Sequence, residues 1–422
     1  MTRDIFTFEQ ACEGVEGMKI KSINRSTSAG YPYVLKHTRG KMDFFGSGTT
    51  FSYVSTAATT LKKRVDVIVA SASEGKRLSH LCVDFLKDEM RPLRKVEAVA
   101  SRVIASSPLD YLIAVRMYFG AYIAAFFSSH THSGMCPGIN PYTDWWILAE
   151  HLSSGGKTKF FDGDYSRFDT SEQPQIHNAI LDHINNWYSD GEVNARIRSV
   201  LWQELVHSRH LTGEGNKLSV VVQWNKSLPS GHPLTTIVNS LYSAITLVGC
   251  YVTLTGDVKN IHANFNFATF GDDNINGVSD AVSEVFNQVT VADCMEKLFG
   301  LTYTSGAKDG TLVPHKALSE CVFLKRGFYK DPTYLAGGWV APLDCASYLY
   351  TSYVYKNNRM VDSELIDKLN GTLGEMSLHP ENVWKLQSPM VIKALFDMQA
   401  VPLFTTRDAW RLETQSRIDF WF

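Results

Sequence analysis

The clearest alternation of apolar and polar positions lies between residues 265 and 278, where Phe265-Asn266-Phe267-Ala268-Thr269-Phe270 and Asn274-Ile275-Asn276-Gly277-Val278 flank Gly271-Asp272-Asp273. A period of two predicts half-buried strands, so this segment reads as strand, tight turn, strand. Gly271 can take the positive φ that a two-residue hairpin demands. Another strand is predicted over residues 157–164, closed by Asp164, with Asp169 five positions further on after the chain has turned. Residues 96–102 alternate as an extended ribbon after Pro92, and residues 322–328 read as a short strand with a basic tip.

Helical spacing marks residues 6–17, 111–127, 144–152 and 282–299, whose apolar faces are core-forming. Residues 228–233 form a Gly/Pro loop that becomes a helix, on which Thr235 and Asn239, four apart, share a face. Lys62, Lys63 and Arg64 suit a solvated helix face, and residues 46–50 a linker. That linker lacks the Gly-Lys-Ser/Thr ending of a phosphate-binding loop. Beyond Pro332 the chain is irregular, then helical, with Trp384, Trp410 and Trp421.

With 422 residues, 44% of them hydrophobic, the chain can build two or three subdomains. No N-terminal stretch has the basic flank and apolar core of a signal peptide, and the longest apolar run, residues 245–254, is too short to span a bilayer. Seven scattered cysteines without a Cys-x-x-Cys pair argue against a disulfide framework and a structural zinc site. His130, His132 and Cys136 have a zinc-like spacing but lack a fourth partner. The formal net charge of −2 means that any nucleic-acid surface must come from local basic clusters.

Two adjacent carboxylates, Asp272 and Asp273, at the tip of an apolar hairpin call for a compensating cation. Asp164 at a strand end supplies the second acidic cluster that a two-metal phosphoryl-transfer site needs, since metals about 4 Å apart require ligands from adjacent strands. Between residues 87 and 102 lie five cations, Lys87, Arg91, Arg94, Lys95 and Arg102. They read either as a wall gripping a triphosphate or as an exposed ion-pair network with Asp88, Glu89 and Glu97. Thr235 and Asn239 can offer a hydroxyl and an amide to a ribose. Thr27, Ser28 and Gly30 suit close approach to a phosphate backbone or a plain surface turn. Ser230-Gly231-His232 has no third group to complete a nucleophilic triad, and His232 reads as a loop residue.

Taken in order, these stretches resemble the RNA-dependent RNA polymerases of picorna-like positive-strand RNA viruses, from about Phe6 to Arg326, with the invertebrate dicistrovirus and iflavirus type as the nearest branch. The resemblance implies an α+β right-hand fold. Its parts would be fingers over residues 1–118, palm over 119–170, a fingers insertion over 171–227, palm over 228–331 and a helical thumb over 332–422. It implies Asp164, Asp272 and Asp273 as ligands of Mg2+, with Mn2+ as a substitute, and Lys308 as the general acid toward pyrophosphate. Lys87, Arg91 and Arg102 would hold the triphosphate, Asp169, Ser230, Thr235 and Asn239 would read the ribose, and Thr27, Ser28, Gly30, Lys325 and Arg326 would touch RNA. Implied partners are template and primer RNA, ribonucleoside triphosphates, a genome-linked protein primer and other viral replication proteins, at membrane-associated complexes in the host cytoplasm.

Two departures from the family stand out. Ala100 occupies a position, two before Arg102, that the family usually makes basic. The chain also starts too late to contain the family's index finger, so a fragment is expected, with a non-catalytic RNA-binding piece as the alternative function. A reverse transcriptase would place a bulky aromatic five residues after the first metal aspartate, where this chain has Asp169. A carboxylate there accepts from a 2′-hydroxyl and favours ribonucleotides.

Overall fold

The alternating segment over residues 265–278 becomes a strand pair. In the computed structural model of the protein, the structure describes residues 2–89, 91, 93–130, 133–214, 217–225, 228–306, 310–334, 338–354 and 361–417. The strands are β1 (Cys82–Leu86), β2 (Val103–Ser106), β3 (Lys159–Ser166), β4 (Arg209–Glu214), β5 (Lys217–Gln223), β6 (Phe265–Phe270), β7 (Asp273–Val278), β8 (Thr302–Thr304), β9 (Tyr329–Lys330) and β10 (Trp339–Val340). The helices are α1 (Phe8–Glu13), α2 (Met42–Phe45), α3 (Thr56–Ser73), α4 (Leu93–Glu97), α5 (Leu109–Ser128), α6 (Trp145–Ser153), α7 (Pro174–Tyr188), α8 (Glu192–Val206), α9 (Thr235–Thr255), α10 (Ile261–Asn264), α11 (Gln288–Phe299), α12 (Cys345–Leu349), α13 (Asp362–Ser377), α14 (Glu381–Asp397) and α15 (Arg407–Gln415).

The chain divides into two compact units, Met1–Ser129 with Arg167–Ile245, and His130–Ser166 with Thr246–Phe422. In the first, α5 packs against α1, α3, α7 and α8. α1 starts where Thr7 and Gln10 cap each other reciprocally. The sheet of this unit has the order β2-β1-β4-β5. β1 and β2 pair antiparallel from Val83↔Ser106 to Leu86↔Val103, so residues 87–102 are the connection at their open end. The ribbon expected over residues 96–102 does not form: α4 takes residues 96 and 97, a turn follows at Ala98 and Val99, and the strand begins only at Val103. Asp84, His210 and Ser208 form a buried relay of 2.7 and 2.8 Å that ties β1 to β4, with Trp224 stacked on the imidazole at 4.1 Å.

Residues 46–50 are not a loose linker. The Arg25 guanidinium donates to the carbonyls of Phe45, Gly46 and Thr50 at 2.9–3.3 Å and lies over the Phe51 ring, because a loop of unpaired carbonyls needs a multivalent donor. His232 lies in the loop before α9, as expected, but is not exposed. It is buried near Tyr111, its Nδ1 accepts from the Leu234 amide, and burial pushes its pKa down to about 3.

In the second unit the sheet order is β6-β7-β3-β8, all antiparallel. α6 covers β6 and β7 through Leu148, Leu152, Phe160, Ala268 and Ile275, while α11 packs on β3 and β8. The helix expected over residues 282–299 is shorter. Asn287 accepts from the amides of Val289 and Thr290, and that cap fixes the start at Gln288. Residues 322–328 form a two-residue turn closed by Phe323 and Arg326 rather than a strand. Helices α13, α14 and α15 gather around Leu373, Trp384, Leu395 and Trp410.

All seven cysteines are unpaired thiols. α5 and α9, of 20 and 21 residues, are long and apolar enough to cross a membrane, but 67% and 61% of their apolar windows are buried within the protein.

Two glycines of the second sheet are there for want of space. A Cβ at Gly277 would stand 2.2 Å from the Leu152 carbonyl oxygen, and one at Gly163 would stand 1.8 Å from the Tyr303 hydroxyl. Gly277→Ala should therefore cost about 1–3 kcal/mol in denaturant unfolding, since backbone must shift. Gly48→Ala, where nothing lies within 4 Å, should stay within about 0.5 kcal/mol, and equal effects would contradict the packing.

Candidate active site

β3 and β7 pair from Lys159↔Val278 to Gly163↔Asn274. Continuing that register by one residue sets Asp164 opposite Asp273, where facing Cβ atoms are about 4.5–5.5 Å apart. Alternation puts Asp162 and Asp164 on one face of β3, opposite Ile275 and Asp273 of β7. The turn between β6 and β7 is Gly271-Asp272, closed by Phe270↔Asp273, with Gly271 at φ +66°. Asp272 is exposed at the tip, Asp273 is half-buried and Asp164 is buried. The other face of the same strands carries no acid. Asn274 donates to the Gly163 carbonyl at 3.0 Å and accepts from Tyr303 at 2.7 Å and Asn276 at 2.8 Å.

Donor chemistry decides which metal these carboxylates suit. Among the described residues no three His, Cys, Asp or Glu side chains are close enough to hold an ion by themselves. That rules out a preformed site of three protein ligands there, including one built on His130 and Cys136; His132 lies outside the described residues. Mg2+ fits the set, because it keeps several waters and is held by one or two carboxylates together with substrate phosphates. Asp164, Asp272 and Asp273 are the residues that would hold it.

Residues 322–326 adjoin this face. The Leu324 amide donates to Asp273 Oδ2 at 2.8 Å. Phe323 and Arg326 exchange two backbone hydrogen bonds of 2.9 Å, and the two residues between them, Leu324 and Lys325, sit at φ +54° and +60°. Lys325 is exposed at this turn. Arg326, expected to touch RNA, is buried: both Nη1 and Nη2 donate to Glu375 at 2.9 Å, and Nη1 also reaches the Ala341 carbonyl. A guanidinium inside the protein must be neutralised, and Glu375 does this from α13. Lys308 lies outside the described residues.

The first unit carries the remaining candidates. Asn239 on α9 donates to Asp169 Oδ1 at 2.7 Å, and its own Oδ1 is buried with no hydrogen-bond partner among the described residues. Burial raises the Asp169 pKa above the ordinary carboxylate value, opposed by the Asn239 bond and the Arg102 charge. Thr235 Oγ1 donates to the Pro229 carbonyl at 2.7 Å, so this hydroxyl bonds the loop before α9. The Ser230 carbonyl accepts from the Ala105 amide, joining that loop to β2.

Glu89 gathers the basic cluster, with Lys87 and Arg91 at 3.2 Å and Arg102 at 3.5 Å. The two readings of these cations are thus compatible, since one carboxylate holds together the three that could meet a triphosphate. Thr27, Ser28 and Gly30 form a tight loop around Lys41, whose buried ammonium donates to Thr27 Oγ1 and to the Ser28 carbonyl. Burial lowers Lys41 to about 8. Gly30 is fixed by its φ of +70° and by the Ser107 carbonyl, 2.4 Å from any added Cβ.

Sequence reasoning missed Asp162, Asn274, Tyr303, Lys41 and Glu375, and named Glu89 only as one of three acids that could pair with the basic cluster. Only Asp162 carried a signal, as the residue two before Asp164 in a strand; the others depend on contacts between distant segments.

Comparison with known proteins fits this geometry. Residues 3–383 match the family described as viral RNA-dependent RNA polymerase, and the chain belongs to that family. It is 31% identical over 415 residues to the replicase polyprotein of Acute bee paralysis virus, covering 93% of this chain and 21% of that protein. It is 32% identical over 346 residues to the replicase polyprotein of Cricket paralysis virus, covering 77% of this chain and 19% of that protein. The chain thus spans about a fifth of these curated relatives. The Sicinivirus 3Dpol RNA-dependent RNA polymerase superposes with a TM-score of 0.78 at 20% identity, over 98% of this chain and 81% of that one. The fold is therefore the α+β right-hand polymerase class.

Glu375→Ala should leave the Arg326 charge buried without its partner and cost about 3–5 kcal/mol in denaturant unfolding. Lys325→Ala removes an exposed cation and should change stability by less than about 0.5 kcal/mol. A Glu375→Ala protein as stable as the parent would show that Arg326 is not held in this way.

Proposed function

We propose that this chain carries out template-directed RNA synthesis, transferring nucleotides from ribonucleoside triphosphates to an RNA 3′-hydroxyl in the replication of a positive-strand viral genome. The observation that supports this most is the register that sets Asp164 opposite Asp273, with Asp272 at the adjoining turn. When bound, two Mg2+ ions supply neutralisation of the triphosphate and a lowered pKa at the attacking hydroxyl. Mn2+ has the charge and oxygen preference to replace them.

The chain's own groups do the rest. Lys87, Arg91 and Arg102 pass from Glu89 to the more highly charged triphosphate. Asp169 accepts from the ribose 2′-hydroxyl, and the unpartnered Asn239 Oδ1 offers a second buried acceptor. Ser230 and Thr235 hold the loop and helix start beside them. Lys308 protonates the leaving pyrophosphate. Thr27, Ser28 and Gly30 meet the template backbone, and the exposed Lys325 meets the growing strand. Arg326 acts behind Lys325 as a brace. A genome-linked protein primer, other replication proteins and membrane-associated complexes in the host cytoplasm complete the reading.

Primer extension on a homopolymer RNA template, with each of the four ribonucleotides and Mg2+, tests the activity. Asp272→Asn should fold normally and lose about a thousandfold in incorporation, since about 4 kcal/mol of transition-state stabilisation is at stake. Retained turnover would refute the two-metal assignment.

Asp169→Ala should lower the preference for ribo- over deoxyribonucleotides by about 10- to 100-fold, the worth of a hydrogen bond to a charged acceptor. Because burial raises the Asp169 pKa, its carboxylate takes up a proton at a higher pH than an ordinary aspartate does. Ribose preference should therefore decline on the acid side of the profile. Unchanged selectivity in the variant, or a flat profile in the parent, counts against the ribose role.

A further inference from the structure

The Asp162 carboxylate is completely buried, two residues before Asp164 on the same face of β3. Neither the metal nor the nucleotide assignments use it. Its oxygens are fully engaged with three separate segments: Oδ1 takes the Lys316 ammonium at 2.8 Å and the Gly306 amide at 3.3 Å, and Oδ2 takes the Val322 amide at 2.7 Å. Two residues beyond Val322, the Leu324 amide binds Asp273 Oδ2 at 2.8 Å. One short stretch is thus sewn by alternate amides to two carboxylates, one on β3 and one on β7.

The stretch is also strained. Leu324 and Lys325 both occupy the left-handed region, which is unfavourable for residues that carry a Cβ. Such a conformation persists only where its surroundings over-determine it. Here the restraints are the reciprocal Phe323–Arg326 bonds, the Asp344 amide on the Lys325 carbonyl at 2.8 Å, the Arg326–Glu375 pair and Asp162 at the root. A fixed turn points the Leu324 N–H in one direction, and the Asp273 carboxylate orients to it.

We propose that Asp162 is a positioning residue for Asp273, acting through Val322 and Leu324. It also anchors Gly306, two residues before Lys308 in the chain. This deepens the proposed function and rests on its reading of Asp273. Lys316 compensates the charge of Asp162, whereas the amide bonds carry the positioning.

The test uses the whole chain and two readouts, amide hydrogen exchange and primer extension. In Asp162→Asn, exchange across residues 318–328 should rise at least tenfold while α13–α15 keep their protection. Turnover should fall about 10- to 100-fold, with the nucleotide KM changed less than threefold. Added to Asp273→Asn, assayed with Mn2+, the same substitution should cost less than twofold more, because its route is already cut. Lys316→Met leaves both amide bonds, so whatever stability is lost through the unpaired Asp162 charge, exchange across residues 318–328 should rise no more than across α13–α15.

Parental exchange and turnover in Asp162→Asn would overturn the proposal, and so would losses that multiply fully with Asp273→Asn. If Asp162→Asn does not fold, Asp162→Asn/Lys316→Met removes the stranded ammonium and takes its place. Failure of both to fold would make Asp162 a general stability residue and also overturn the proposal. Full incorporation by Asp164→Asn and Asp272→Asn would instead sink the two-metal reading, an outcome separate from the exchange result.

Discussion

Burying a carboxylate takes it out of water, and the loss is tolerable only where donors converge on it. In the second unit this constraint organises more than one side chain. Asp162 sits inside the protein because Lys316 and the amides of Gly306 and Val322 all reach it. Lys316 is already bridged to Phe160 of β3 by two backbone hydrogen bonds, whereas Gly306 and Val322 lie outside helices and strands, and the carboxylate gives those two a common anchor. Asp164, which pairs with Thr304 of β8, and Asp273, at the start of β7, lie one step further along the strands, where alternation has already separated an acidic face from a face of Asn274, Asn276 and Tyr303.

The first unit solves a complementary problem. Lys87, Arg91 and Arg102 are brought close by the paired ends of β1 and β2, where Lys87 and Arg102 meet through a backbone hydrogen bond. Like charges so placed repel, and Glu89 offsets that repulsion with a single carboxylate. Because these pairs are partly exposed, each contributes little to stability. Their value is to keep three cations together and still releasable. A chain with a formal net charge of −2 can thus present a local basic surface without being basic overall.

The division of labour between Lys325 and Arg326 follows from one turn. Lys325 is one of the two residues of the turn and is exposed, whereas Arg326, which closes the turn by its backbone bonds with Phe323, is buried. The inward one, being an arginine, forms a two-pronged pair with Glu375, and an ammonium in the same place would lose that fork geometry.

Local rules were enough to read the β6–β7 hairpin, the strand that carries Asp164 though not its continuation to Ser166, the helices around residues 111–127 and 144–152, and the acidic and basic clusters. In each case the period of apolar residues or the turn chemistry is written in a few consecutive positions. The same rules put a ribbon where α4 lies and a strand where the Phe323–Arg326 turn lies. There the conformation is set by partners, such as Asp273 and Asp344, that come from far along the chain. They also left Asp162 unmarked, because nothing in Phe161-Asp162-Gly163-Asp164 says which carboxylate meets solvent and which meets Lys316. By itself, then, the sequence determined the elements and the inventory of charged groups, since these follow from short-range sterics and patterning. Tertiary structure alone decided which carboxylates are anchors and which are held ready at the sheet's end, since that depends on where distant amides and cations converge.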